Sequence, residues 1–502
     1  MSWDWVNWDW AQVGLTALQV LLLVFVALGA VPVLATLYQF LVLPFHASIN
    51  HYRKAGPYLP NVAVVVPAWN EGMVIGASID RLMALDYPQD RLQVYVVDDA
   101  STDHTPDVVL AKAAEYPGRV FHLRREVGGE GKAHTLNHGI TRILADDWMQ
   151  ALLIMDADVI YLPDSLRKLT RHLADPNVGA VTAYVSEGSS KPNYLNRFIG
   201  LEYAIAQVAA RRSQNVLGAL AVLAGGAQLH SRANLEAIGG RIDTSTYAED
   251  TVTTFETQLR GRKVVFEPYA VVLAEEPDRI TALWRQRLRW ARGNVQVTAR
   301  YRDVFFHPSK VHKLGRFAFG IFWFSIFLQP IFMILSSIGL LGLFFLQSTL
   351  AIEAFRGLWI VAAVGYIYGL VLSTQLDPKV GRRSLREAVL FPGLVSMVIM
   401  AVAVFPGLAP WLFGLLGWQL TEGVTTGFIL FAYVWNSASM LFAWLAKQVE
   451  KTRIGVVLTP LLVYLIGYGP ILCAITFDSY VKELRGVEAK WDKTEKTGRA
   501  MG

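Results

Sequence analysis

The chain has 502 residues, enough for two or more structural units. Only 17% of them are charged and 53% are hydrophobic, against the roughly 25% charge of a soluble protein, which argues against a wholly soluble enzyme. A net charge of +5 with no basic tail gives no reason to expect nucleic acid, and the single cysteine, Cys473, excludes an intrachain disulfide.

Residues 1–45 predict a transmembrane helix. No Asp, Glu, Lys or Arg falls between Asp9 and Arg53, a run longer than the roughly 20 residues a bilayer requires. The start, "MSWDWVNWDW", is acidic and aromatic, whereas a cleaved signal peptide begins basic. Trp3, Trp5, Trp8 and Trp10 are expected at one interface, with His51, Arg53 and Lys54 on the other. This bias places the N-terminus outside and the following domain in the cytosol.

Residues 46–280 read as a cytosolic α/β domain. Apolar runs at 62–68, 92–99, 120–126, 151–158, 178–185 and 263–272 alternate with helical patterns. Near-continuous apolar strands separated by helices predict a mostly parallel sheet covered on both faces. Residues 281–315 follow as amphipathic helices, opening with "LWRQRLRWARGN".

Residues 316–477 hold five charge-free stretches, Phe317–Ile352, Gly357–Leu376, Ala388–Thr421, Gly423–Ala446 and Ile454–Phe477. Each predicts one spanning helix, six in all, with Pro330, Pro406 and Pro410 able to kink or split two of them. Basic loops at 378–387 and 447–453 suit the cytosol, and five spans after a cytosolic domain leave the 478–502 tail outside.

Chemistry concentrates at the strand ends of the α/β domain. Asp98 and Asp99 close a strand and precede Ser101, Thr102 and Asp103. Ligands of open α/β sheets sit beyond such ends, where a carboxylate can accept from a ribose or base; the same residues also cap helices. Asp156 and Asp158 bracket one residue after another apolar strand, a pair of hard oxygen donors suited to Mg²⁺ or Mn²⁺. Glu249 and Asp250 stand at a predicted helix start, where acids favour the dipole and can equally act as a general base. Glu71 follows the first strand.

Lys132 ends a glycine-rich run, "GGEGK", at a helix start, which favours phosphate, although neither a Walker A motif nor a G-x-G-x-x-G fingerprint is present. His134 and His138 lie four apart, but Thr135 replaces the glutamate of a zinc-peptidase motif. In "LWRQRLRWARGN", a helix puts Gln286, Arg289 and Trp290 on one face. Arg285 and Arg292 point elsewhere and could meet lipid phosphates, as an interfacial helix would.

The ordered set P-x-x-N-E, D-D-x-S-x-D, G-K-x-x-x-L-N, D-x-D, E-D and Q-x-x-R-W resembles membrane-integrated family 2 glycosyltransferases, the group of cellulose, chitin, hyaluronan and poly-N-acetylglucosamine synthases. The resemblance spans about residues 60–300. It implies an α/β GT-A-type nucleotide-sugar-binding domain fused to an α-helical transmembrane domain in the plasma membrane. It implies that Glu71, Asp98 and Asp99 bind the uridine of a UDP-sugar. Asp156 and Asp158 would hold its diphosphate through Mg²⁺ or Mn²⁺, and Lys132 and Arg289 would support the phosphates. Asp250, beside Glu249, matches the base of the family's T-E-D, with Ala248 in place of the Thr. Gln286 and Trp290 match the acceptor side, as do Gly225 and Gly226 of "LAGGAQLHSR", where Ala224 replaces the usual Cys or Ser.

The reaction so implied extends a polysaccharide or oligosaccharide acceptor, with membrane lipids as surroundings. A single transfer to a lipid acceptor is the alternative. A transporter or receptor would instead predict charges within the spans, which are almost charge-free.

Overall fold

The computed structural model describes residues 10–48, 55–417, 421–450 and 457–487. Trp3, Trp5, Trp8, His51, Arg53, Lys54 and most of the 478–502 tail lie outside them. The chain forms two compact units. One is α/β and contains the described parts of Tyr38–Trp323, Leu372–Ala388 and Ser479–Gly502. The other is apolar and helical and contains those of Met1–Leu37, Phe324–Val371 and Val389–Asp478.

Helix α1 (Trp10–Ser48) opens the chain. The α/β unit then lays down strands β1 (Val62–Ala68), β2 (Leu92–Asp98), β3 (Val120–Arg124), β4 (Ala151–Met155), β5 (Ile160–Tyr161), β6 (Val178–Glu187), β7 (Ala227–Ser231) and β8 (Lys263–Ala274). They form one sheet in the order β3-β2-β1-β4-β7-β6-β8-β5. Six strands run one way; β7 opposes β4 and β6, and β5 opposes β8. All six expected strands are present and the sheet is mostly parallel. The two additional strands are the two reversed ones. β5 has two residues, and β7, "AQLHS", carries polar side chains where the other strands are apolar. Those side chains pair internally: the His230 ring meets Gln228 at 3.0 Å and Asn234 at 3.2 Å.

Alternation along β1 explains the layering, because successive strand side chains point to opposite faces. Val62, Val64 and Val66 pack with Ile75, Ile79 and Leu82 of α2 (Ile75–Met83) on the face also covered by α3 (Thr105–Glu115). Ala63 and Val65 face Leu136, Ile140 and Ile143 of α4 (Lys132–Leu144). Each such buried aliphatic side chain contributes about 1.5–3 kcal/mol. Gly139 brings α4 down onto the sheet, since a Cβ there would lie 2.7 Å from Val97 and 2.8 Å from Val65.

Register places the site. Ala68 pairs with Asp98, Asp98 with Arg124, and Met155 with Ala227, so the ends of β1, β2 and β4 and the entry to β7 share one edge. The unit's remaining helices are α5 (Ser165–Thr170), α6 (Tyr194–Tyr203), α7 (Ala210–Leu217), α8 (Arg232–Ala237), α9 (Glu249–Leu259) and α10 (Ile280–Arg300).

In the apolar unit, Trp10–His46, Leu350–Leu376 and Glu422–Val449 are long and apolar enough to cross a membrane. Three bent pairs complete the set: Phe317–Phe327 with Gln329–Phe345 (74°), Leu394–Val404 with Leu408–Leu415 (115°), and Pro460–Ile466 with Tyr468–Leu484 (91°). The first two breaks fall beside Pro330 and Pro406, as expected from proline's missing N–H. The third, at Gly467, carries no such signal; its φ of 97° is one that glycine adopts freely.

Two segments beyond the helices rejoin the α/β unit. Residues 377–387 dock through Tyr184 Oη donating to Asp377 (2.8 Å), Arg383 with Glu187 (2.5 Å) and Arg197 with Glu387 (2.9 Å). Residues 479–487 dock through Arg292, which pairs with Glu483 at 2.5 Å and donates to the Val487 carbonyl at 2.6 Å. Two expectations change with this contact. Arg292 is buried in an ion pair rather than offered to lipid, and residues 479–487 lie with the α/β unit rather than across a membrane from it.

Candidate active site

The loops after β1 and β2 are built as one piece. Asn70 and Ala100 both take left-handed backbone, with φ of 54° and 55°. Asn70 Oδ1 accepts from the Thr102 N–H at 2.8 Å, and the Asn70 N–H donates to Ser101 Oγ at 2.9 Å. Glu71 is fixed here by its own N–H, which donates to Thr105 Oγ1 at 2.8 Å. Asp98 is fully buried: one oxygen accepts from the Ser101 N–H at 2.8 Å and the other pairs with Arg124 at 2.5 Å. Asp99 pairs with Arg125 and accepts from the Gly129 N–H at 2.9 Å, tying the glycine-rich loop down. The two adjacent acids therefore have different partners, Asp98 in its own turn and on β3 and Asp99 across to the loop that leads to Lys132.

That loop delivers Lys132 to a second cluster. Gly131, with φ of 107°, turns the chain into α4, and the Lys132 ammonium lies 2.5 Å from Asp156, 3.9 Å from Glu249 and 3.1 Å from the Gly225 carbonyl. Asp156 and Asp158 occupy the turn after β4, and both are partly exposed. Gly225 and Gly226 pass close against the cluster, where a Cβ would be tight at Gly225 and would force a shift at Gly226. A Cβ on Gly225 would lie 3.2 Å from Asp250 Oδ2 and 3.4 Å from Lys132 Nζ; one on Gly226 would lie 2.9 Å from Asp156 Oδ2. Asp250, in the first turn of α9, also accepts from the Thr251 N–H at 2.7 Å.

Burial governs the electrostatics. It raises Glu249 to about 7, helped by the like charge of Asp250 and opposed by Lys132 and Arg289. Burial also raises Asp250, against Lys132, Thr251 and Arg211. For Lys132 burial acts to lower the pKa, and Asp156 and Glu249 outweigh it, so the ammonium is held more firmly than usual. Raised proton affinity suits Glu249 to proton acceptance near neutral pH, and Asp250 is shifted in the same direction beside the fixed Lys132 cation.

Helix α10 forms over 280–300 as its pattern predicts, and the three motif residues meet different partners. Arg289 acts on Glu249. Trp290 is 39% exposed. Gln286 is buried and donates to Glu276 at 3.2 Å. Gly293, one turn on, packs against the strand of chain that leads into α9: a Cβ there would lie 2.7 Å from Ala248 Cβ. Lys132, Asp156, Glu249, Asp250, Arg289 and the two glycines thus converge, whereas Glu71, Asp98 and Asp99 belong to the neighbouring loop pair.

Sequence reasoning passed over Arg124, Arg125, Arg211 and Arg287. Arg211 on α7 is buried, its pKa lowered to about 10 by that burial and supported by Asp250. For a divalent cation, Asp156 and Asp158 supply two hard oxygen donors on a partly exposed turn, and among the described residues no third carboxylate or imidazole completes a cage. This donor set fits an ion that arrives with phosphate oxygens, as Mg²⁺ and Mn²⁺ do.

Residues 60–293 match the model of the family described as "Glycosyltransferase like family 2". The Bacillus subtilis protein named "Probable glycosyltransferase YdaM" is 30% identical over 60% of this chain and 72% of its own length. The chain belongs to the family 2 glycosyltransferases, and its α/β unit is a GT-A-type domain. The beta-monoglucosyldiacylglycerol synthase of Synechocystis is 32% identical over 60% of this chain, which spans 58% of that relative. The poly-beta-1,6-N-acetyl-D-glucosamine synthase of Staphylococcus aureus is 28% identical over 48%, and the chain spans 56% of it. Among solved structures, a mannosyltransferase of Pyrobaculum calidifontis in complex with GDP-mannose and Mn²⁺ aligns over 71% of this chain and 99% of its own, at 23% identity and a TM-score of 0.49.

Proposed function

We propose that the protein is an inverting transferase that moves a sugar from a UDP-sugar to a growing β-linked polysaccharide and passes the product across the membrane. Residues 46–280 are its transferase domain and 281–315 its interface segment. The observation that carries the reading is the convergence of Lys132, Asp156, Glu249 and Asp250 around two glycines whose backbone passes directly against Asp156 and Asp250.

In this scheme Asp250 takes the proton of an acceptor hydroxyl, whose oxygen attacks the anomeric carbon. The bond from that carbon to the diphosphate oxygen breaks, and one in-line displacement turns an α-linked donor into a β-linkage. Lys132 and Arg289 offset the charge gathering on the leaving diphosphate. Glu71, Asp98 and Asp99 form the uridine side, Trp290 meets the acceptor, and Gln286, Gly225 and Gly226 belong to the same side. Asp156 and Asp158 would hold Mg²⁺ or Mn²⁺, which when bound supplies further charge neutralisation at the diphosphate. The positively charged stretch Lys379–Arg386 lies in the α/β unit, which favours a cytosolic catalytic side.

The test is Asp250→Asn in purified protein. UDP release with acceptor should fall by at least about 10³-fold while UDP binding stays within twofold, the range expected when a positioned general base is lost. Near-normal turnover would refute the assignment. Transfer to a lipid is the second reading, favoured by the likeness to the Synechocystis glycolipid synthase. Product length separates the two: a long glycan supports the first, a single glycolipid the second.

A further inference from the structure

The residues around Trp290 form a closed ring of contacts that joins the Q-x-x-R-W segment to Glu202, Tyr203 and Glu276. Arg287 and Trp290 are three apart on α10, so their side chains share a face. The Arg287 guanidinium lies 4.1 Å from the Trp290 ring centroid and 5.4 Å from that of Tyr203. Its Nη2 pairs with Glu202 at 3.0 Å, and its Nη1 donates to Gln286 Oε1 at 3.1 Å. Gln286 in turn donates to Glu276 at 3.2 Å, whose other oxygen accepts from Tyr203 Oη at 2.7 Å. Arg287 has only 6% of its side chain exposed, while Trp290 has 39% of its surface open. One side of the indole is therefore covered by a fixed cation and the remainder is presented outward.

The geometry points to Arg287 as the positioning residue for Trp290. Stacked and held by Glu202 and Gln286, it fixes the plane of the indole for a sugar ring, and Gln286 acts through Arg287 rather than on the substrate. A planar guanidinium can stack and donate in one plane at once; a lysine ammonium cannot. A desolvated cation over an indole is attracted by the face of the ring, which favours one ring orientation over its alternatives. The inference rests on the proposed contact between Trp290 and the acceptor.

The experiment uses the full chain in nanodiscs with 5-fluorotryptophan incorporated and the Trp290 resonance assigned by loss in Trp290→Phe. Arg287→Lys keeps the charge beside Glu202, so folding is preserved and is checked by melting temperature. Kinetics use UDP-glucose or UDP-N-acetylglucosamine, whichever turns over, with a β-linked tetrasaccharide of the same sugar. Arg287→Lys should shift or broaden the Trp290 fluorine resonance and raise the tetrasaccharide KM about tenfold, leaving the UDP-sugar KM within twofold. An unmoved resonance overturns the inference. So does an unchanged tetrasaccharide KM in Arg287→Lys when Trp290→Ala raises it. If Trp290→Ala leaves that KM unchanged, the acceptor role of Trp290 fails and the inference falls with it, whereas a shifted resonance in that case keeps only the structural link between the two side chains.

Discussion

Glu249 offers the sharpest quantitative check on the electrostatics of the cluster. Its folded pKa of about 7 stands above the ordinary 4.5, for reasons of burial first and Asp250 second. A difference of 2.5 units corresponds to about 3 kcal/mol at 1.36 kcal/mol per unit. The fold favours the protonated carboxyl, so this contribution is complete below 4.5 and is lost as pH rises through 7. Glu249→Gln cannot ionise and escapes that loss. Relative to wild type, the variant should gain stability steadily between pH 5 and 8, reaching about 3 kcal/mol at the upper end. Melting temperature in detergent across that range reads the difference, to which Asp250 and Lys132 also respond because both interact with Glu249. A difference that stays flat with pH, or a variant less stable than wild type at pH 8, would refute the reasoning.

Gly293→Ala should place a methyl against Ala248 and cost about 1–3 kcal/mol, with activity falling because the start of α9 moves. Adding Ala248→Gly should recover part of that loss in melting temperature, since only the side-chain contact is relieved. Arg292→Ala should destabilise by about 2 kcal/mol by leaving Glu483 unmatched, and a double variant with Glu483→Ala should cost less than the sum of the singles. Asp158→Asn should weaken Mn²⁺ binding in the presence of UDP at least tenfold, as followed by the electron-spin signal of free Mn²⁺; unchanged binding would remove Asp158 from the metal site.

How much of this was legible beforehand follows from what each signal depends on. The six apolar strands declare themselves because burial on both faces leaves no polar position to confuse the pattern. β7 hides because it sits between opposed neighbours and satisfies Gln228 and His230 internally. The acids and Lys132 were visible as residue types near strand ends, yet their meeting depends on Gly225 and Gly226, whose closeness to Asp250 and Asp156 is a tertiary fact. Arginines were the blind spot. In sequence Arg287 carried no signal and Arg292 was offered to lipid phosphates, and only packing shows that they pair with Glu202 and Glu483, 85 and 191 residues away. A proline announces a helix break from its own chemistry, which is why two bends were foreseen and the one at Gly467 was not.

The pairing of Arg292 with Glu483 also counts membrane crossings. Two side chains in contact share a side of any bilayer, so the chain between them must cross an even number of times. Residues 372–388 lie in the α/β unit as well, which divides that path in two. The first part holds one bent pair and one straight helix, an even number of candidate crossings. The second holds two bent pairs and one straight helix, an odd number of candidates for an even task. If each of the six candidates lay in a bilayer, the contact would call for one of these three to enter and leave by the same face. A thiol reagent unable to pass the bilayer would reach cysteines introduced at 300 and 486 from one side only, and labelling from opposite sides would show that the pair does not form.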